Sequence, residues 1–144
     1  MIRRAIADHV RTALKDTPVV LVHGARQTGK TTLVLEMARE MGASYLTMDD
    51  AVTLAAALQD PQGFVLNMPG PVVLDEVQKV PALFPAIKLA VDRNRRPGMF
   101  LLTGSANVLA LPRLSESLAG RMEIVQLFPF SQSELEKSGE NFVD

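Results

Sequence analysis

The sequence predicts an α/β domain built on a mostly parallel sheet with helices on both faces. Three observations lead there. Short apolar runs and helical periodicities alternate about five times along the chain, the pattern of strand–helix–strand units. The first run, Val19-Val20-Leu21-Val22, is apolar at every position rather than at alternate ones, as expected where both faces of a sheet are covered. The length of 144 residues suits one domain of the usual roughly 100–200 residues.

The elements follow in order. Ile2, Ile6, Val10 and Leu14 recur every four residues and predict an amphipathic helix over 2–15. Arg3, Arg4, Asp8, Arg11 and Lys15 fill its other faces, and Thr17-Pro18 ends it. After the first strand, Leu33, Met37 and Met41 set a helix over 31–41, closed by Gly42 as a helix-ending glycine. A second strand is expected at 43–48. Asp50 then caps a helix from Ala51 to Leu58, which Asp60-Pro61 ends. Residues 62–68 suggest a short helix or turn. Val72-Val73-Leu74 forms the third strand and Leu83 to Val91 the next helix, with Arg93, Arg95 and Arg96 at its end. Met99 to Leu102 is a fourth strand. Residues 107–119 read as partly helical and broken by Pro112. Met122 to Phe128 is a fifth strand, and Ser131 to Lys137 a last helical turn or two.

Composition narrows the function classes. Apolar residues make up 47% and charged residues 22%, which excludes a chain disordered by composition. There is no cysteine and there are two histidines, His9 and His23, so a disulfide framework or a zinc site is not expected. The formal net charge of -1 supplies no global field toward DNA or an anionic membrane. The basic start is interrupted by Asp8, His9 and Arg11 and does not read as a signal peptide. No spanning helix is expected, and the cytoplasm is the expected location.

Gly24-Ala25-Arg26-Gln27-Thr28-Gly29-Lys30-Thr31 matches G-x-x-x-x-G-K-[ST], after a strand and at the start of a helix. The chemistry needs that arrangement. Two glycines let the backbone curl so that its N–H groups converge on phosphate oxygens. The helix N-terminus, reaching to Thr32, adds unpaired donors and a positive dipole end. Lys30 is expected on the β- and γ-phosphates, and the Thr31 hydroxyl on Mg²⁺. Arg26 reads as a phosphate contact or as the partner of a carboxylate that braces the loop, and equally as a solvent-facing residue. His23 is expected to be structural.

Pro71-Val72-Val73-Leu74-Asp75-Glu76 delivers two carboxylates at the end of a strand, where ligands of parallel sheets bind. Asp75 is the candidate Mg²⁺ ligand. Glu76, on the opposite side of an extended chain, is the candidate base for an attacking water. Leu101-Leu102-Thr103-Gly104-Ser105 brings hydroxyls to another strand end. Ser105 is the candidate contact to the γ-phosphate or water, with Thr103 and Asn107 as alternatives. Arg121, before the fifth strand, reads either as an arginine finger reaching a neighbouring subunit or as the partner of a surface acid such as Glu116. Arg113 is a weaker competitor.

The segments 23–33, Leu74-Asp75-Glu76-Val77-Gln78, Leu102-Thr103-Gly104-Ser105, Leu118-Ala119-Gly120-Arg121 and Leu127-Phe128-Pro129-Phe130-Ser131 together resemble an AAA+-type P-loop ATPase. More narrowly, they resemble a prokaryotic ATP-binding family whose AAA domain precedes a C-terminal domain of unknown function. The resemblance runs from about residue 3 to 136. It implies a three-layer α/β/α sandwich with sheet order 5-1-4-3-2, Walker A at Gly24–Thr31, Walker B at Asp75-Glu76, a sensor at Ser105 and a finger at Arg121. It also implies a lid and a C-terminal domain beyond Asp144. The chain is therefore expected to be a single nucleotide-binding domain, an N-terminal helix over 1–17 and a core over 18–130, truncated before those parts. The expected function is ATP binding, with Mg²⁺-dependent hydrolysis to ADP and phosphate in the full-length form. A homo-oligomer using Arg121 in trans is an expected partner arrangement. The rival is a nucleotide-gated module for a protein or DNA partner, with the three clustered arginines as its candidate DNA contact. No N-K-x-D segment reads guanine, which favours adenine.

Overall fold

The computed structural model describes residues 2–24, 29–105 and 107–127. Five parallel strands form one sheet in the order β2-β3-β4-β1-β5, the expected order read from the other edge. They are β1 (Val19–His23), β2 (Ser44–Thr47), β3 (Val72–Asp75), β4 (Phe100–Gly104) and β5 (Met122–Gln126). Among the described residues six α-helices accompany them: α1 (Ile2–Asp16), α2 (Lys30–Met41), α3 (Ala51–Gln59), α4 (Pro61–Leu66), α5 (Leu83–Arg93) and α6 (Pro112–Leu118).

The pleat sorts the strand residues into two cores. Val20, Val22, Val73, Leu101 and Val125 pack with Ala7, Val10, Leu14, Leu33, Val34 and Met37 of α1 and α2. Val19, Leu21, Val72, Leu74, Phe100 and Leu102 pack on the other face with Ala57, Val65, Leu83, Phe84, Ile87, Leu114 and Leu118. The central strands β1, β3 and β4 are buried throughout, which explains their unbroken apolarity. The edge strands β2 and β5 are only partly buried.

Side chains close the helix ends as the sequence suggests. Asp50 accepts from the Thr53 amide, and Gly42 ends α2 with φ +67°. On α1, Arg11 grips Glu40 of α2 with two hydrogen bonds of 2.8 and 2.7 Å, so its charged face serves to fix α1 over α2.

Three expectations at element ends change. Asp60-Pro61 does not simply stop a helix, because Asp60 caps α4 by accepting from the Gly63 amide. Pro112 does not break a helix but opens α6, the position where its missing N–H is harmless. Glu76 is not extended: it has φ +61° and ψ +48°, so strand alternation does not govern where its carboxylate goes. The expected strand end at Phe128 and the turn at 131–137 lie outside the described residues.

One glycine is required by contact. A Cβ on Gly104 would sit 2.7 Å from Val108 Cβ, in the short 3-10 turn Val108–Ala110 that follows β4. Gly104→Ala should cost about 1–3 kcal/mol through overpacking, read as a lowered midpoint in urea denaturation with an unchanged slope.

Candidate phosphate and cation site

The carboxyl ends of β1, β3 and β4 meet the amino end of α2, and Gly24, Gly29, Lys30, Thr31, Asp75 and Glu76 gather there. Gly24 leaves β1 with its amide on the Gly104 carbonyl at 3.3 Å. Gly29, with φ +82°, stands at the start of α2, and no side chain among the described residues caps that helix. Among the described residues the amides of its first turn are therefore without a capping side chain, the condition under which a helix N-terminus receives an anion. Ala25, Arg26, Gln27 and Thr28 lie outside the described residues. Thr32 sits exposed in the first turn of α2.

Lys30 begins α2, and its side chain is 4% exposed. Its Nζ lies 3.2 Å from Glu76 Oε2. The left-handed backbone of Glu76 swings that carboxylate toward α2, a conformation that costs a non-glycine residue about 1–3 kcal/mol and has to be held in place by its surroundings. Two further contacts hold it. The Glu76 amide donates to the Thr103 hydroxyl at 2.8 Å, and Gln78 Nε2 donates to Glu76 Oε1 at 2.8 Å. The other end of the Gln78 amide accepts from the Ser105 amide at 3.2 Å. Gln78 thus links the acid to the end of β4.

Asp75 is buried at the end of β3, with 2% exposure. Three hydroxyls converge on it. Thr103 donates to Oδ1, while Tyr45 donates to Oδ2 at 2.6 Å. Thr31 approaches the same Oδ2 at 3.4 Å. Burial and the Asp75 carboxylate together push the Tyr45 phenol well above its ordinary pKa, so it stays a donor at neutral pH.

The donor set suits Mg²⁺. Its oxygens are hard, and two adjacent octahedral ligands at about 2.1 Å from the ion would lie about 3 Å apart, close to the 3.4 Å between Thr31 Oγ1 and Asp75 Oδ2. Mg²⁺ commonly uses one or two protein oxygens, with phosphates and waters completing the shell. The described residues contain no cluster of three or more His, Asp or Glu that could form an all-protein cage.

Other candidates are placed differently. The Ser105 hydroxyl donates to Asn107 Oδ1 at 2.7 Å and not to either acid; among the strand-end hydroxyls, Thr103 is the one that touches both. Arg121 lies at the opposite end of the sheet, where its carbonyl accepts from the Val19 amide. The five residues of β1 put about 16 Å between that edge and Gly24. Its guanidinium grips Asp92 at 2.8 and 3.0 Å, not Glu116, and also donates to the carbonyls of Ser117 and Ala119. Asp92 is accordingly held below the usual carboxylate range. His23 is 4% exposed, and its Nδ1 has no partner among the described residues; desolvation lowers its pKa.

A family described as an AAA domain matches residues 16–136. The chain belongs to this AAA domain family. Two curated relatives are 40% identical over 125 residues: uncharacterized proteins of Mycobacterium bovis and Mycobacterium tuberculosis. The match covers 87% of this chain and 28% of each relative, so the chain spans under a third of their length. Among solved structures, the Walker-type ATPase PABY2304 of Pyrococcus abyssi aligns with a TM-score of 0.64 at 16% identity, over 90% of this chain and 54% of that one. AMPPCP-bound DnaA from Aquifex aeolicus aligns with a TM-score of 0.56 at 17% identity, over 86% and 44%. At such identities the likeness is one of fold, that of the AAA+ P-loop ATPases.

Sequence reasoning missed Tyr45 and gave Gln78 no role. Tyr45 left a signal in the strand pattern: β2 pairs with β3 so that Tyr45 faces Val73 and Thr47 faces Asp75, which puts a phenol on the face of the sheet that carries Asp75. Thr103 is the test of the hydroxyl network. Thr103→Val leaves the Glu76 amide and Asp75 Oδ1 each short of a partner and should cost about 1–3 kcal/mol in chemical denaturation. Thr103→Ser should recover most of that loss.

Proposed function

We propose that this chain binds the triphosphate of ATP in the curl 24–31, with Mg²⁺, and that the longer protein containing it hydrolyses ATP to ADP and phosphate. The observation that carries the reading is the convergence of Lys30, Thr31, Asp75 and Glu76 at one sheet end beside an uncapped helix start.

The residues divide the work. Gly24 and Gly29 permit the curl, and the amides of 25–32 are the proposed phosphate donors. Lys30 meets the β- and γ-phosphates, which requires its ammonium to leave Glu76. Thr31 and Asp75 would hold Mg²⁺, which supplies charge neutralisation on the phosphates when bound. Glu76, released from Lys30 on one oxygen and retained by Gln78 on the other, is free to accept a hydrogen bond from the attacking water. Ser105, tied to Glu76 through Gln78, is the proposed contact to the γ-phosphate or the water. The reaction needs positioning and charge stabilisation rather than covalent chemistry.

Arg121 is the proposed finger for a neighbouring copy. Its place at the far end of the sheet supports action in trans rather than in its own site, and reaching a neighbour would require it to exchange Asp92 for phosphate. The same proposal makes the partner a second copy of the chain: a homo-oligomer in which each copy completes the next.

Two variants separate the roles. Lys30→Ala should weaken binding of a non-hydrolysable ATP analogue by about 10–100-fold, the loss of one charge-assisted contact of about 1.5–3 kcal/mol, measured by calorimetric titration. Glu76→Gln in the longer protein should keep nucleotide affinity and abolish phosphate release. Hydrolysis at the wild-type rate would remove Glu76 from the mechanism.

A further inference from the structure

Asp75 is more tightly governed than a cation ligand at a strand end needs to be, and the extra constraint comes from a residue outside every motif. Tyr45 lies on β2, the edge strand beside β3. Its ring packs among the residues beneath α2, beside the cluster that includes Leu33, Val34 and Met37. Its hydroxyl crosses to Asp75 Oδ2 at 2.6 Å, a short contact of the kind an ionised acceptor makes. A carboxylate offers about four lone-pair directions on its two oxygens. Thr103 holds Oδ1, and Tyr45 takes one direction on Oδ2. Two donors on different oxygens fix the plane of the group. The remaining direction on Oδ2 is the one that Thr31 approaches.

We propose that Tyr45 is a positioning residue for the cation half of the site: its hydroxyl fixes the Asp75 carboxylate so that Oδ2 stays presented toward Thr31. The inference rests on the reading of Asp75 and Thr31 as Mg²⁺ ligands. Hydrogen-bond partners behind a ligating group orient it, and their loss commonly costs 10–100-fold in metal affinity. Among the described residues the Tyr45 hydroxyl donates to Asp75, the proposed cation ligand, so its effect should fall on the cation half of the site. Tyr45 is also the only tyrosine of the chain, and there is no tryptophan. Its emission therefore reads the environment of Asp75 without competing fluorophores.

The test measures affinity for a non-hydrolysable ATP analogue by calorimetry, with and without Mg²⁺, in the wild-type chain, Tyr45→Phe and Lys30→Ala. Phenylalanine keeps the ring and its packing. Tyr45→Phe should leave Mg²⁺-free affinity within about twofold of wild type and cut the gain in affinity on adding Mg²⁺ by about 10-fold. In the wild-type chain, Mg²⁺ added to the analogue complex should change the tyrosine emission. A Tyr45→Phe chain with the full Mg²⁺ gain, or a larger one, overturns the proposal, as does wild-type emission indifferent to Mg²⁺. Equal losses with and without Mg²⁺ also overturn it, since they mark a purely structural role. If Lys30→Ala binds as well as wild type, the phosphate site itself is rejected, and Tyr45 falls with it. Weak binding by Lys30→Ala alongside an unaltered Mg²⁺ gain in Tyr45→Phe rejects Tyr45 alone.

Discussion

A lysine ammonium removed from water at the mouth of a parallel sheet is the constraint around which the rest of this structure is arranged. Lys30 is 4% exposed, and an ammonium at that depth is tolerable only beside an opposite charge. Glu76 provides it at 3.2 Å, but only by adopting a left-handed backbone. That conformation is held from three directions, by Lys30, by Gln78 and by the Thr103 hydroxyl on its amide. The same Thr103 hydroxyl reaches Asp75, so the two acids are not independent. In the proposed binding mode a ligand phosphate would replace one carboxylate with another anion, and its affinity would be a difference between two charge-assisted contacts.

The fold was legible because burial dictates it. Strands β1, β3 and β4 are covered on both faces, and a strand covered on both faces has to be apolar at every position. The helix ends were legible where a side chain performs the capping, as at Asp50, and where glycine alone tolerates the backbone, as at Gly42. Pro112 misled because the same missing N–H that breaks a helix interior is harmless at its first residue. Strand order was carried by the family resemblance and not by periodicity, since any order of the same five strands would bury the same runs.

The placement of the candidate site was legible residue by residue in its motifs, and its connections were not. Lys30, Thr31, Asp75 and Glu76 stand where spacing placed them relative to strand and helix. The direction of the Glu76 carboxylate was not legible, because the alternation rule holds only for extended backbone and Glu76 leaves the strand. The choice between Thr103 and Ser105 was not legible either, since both are hydroxyls at the end of β4. Position along the chain separates them, since the two have the same pleat parity: Thr103 is still within β4, on the face that carries Asp75, whereas Ser105 is past the strand and turns to Asn107. Tyr45 and Gln78 act across strands and through a turn, and such contacts are properties of the assembled sheet.

The most direct measurement is a crystal structure of the chain with Mg²⁺ and a non-hydrolysable ATP analogue. The account predicts the triphosphate inside the curl 24–31, Lys30 Nζ moved from Glu76 onto phosphate oxygens, and the metal between Thr31 and Asp75. Nucleotide bound elsewhere, with the Lys30–Glu76 pair intact, would contradict it.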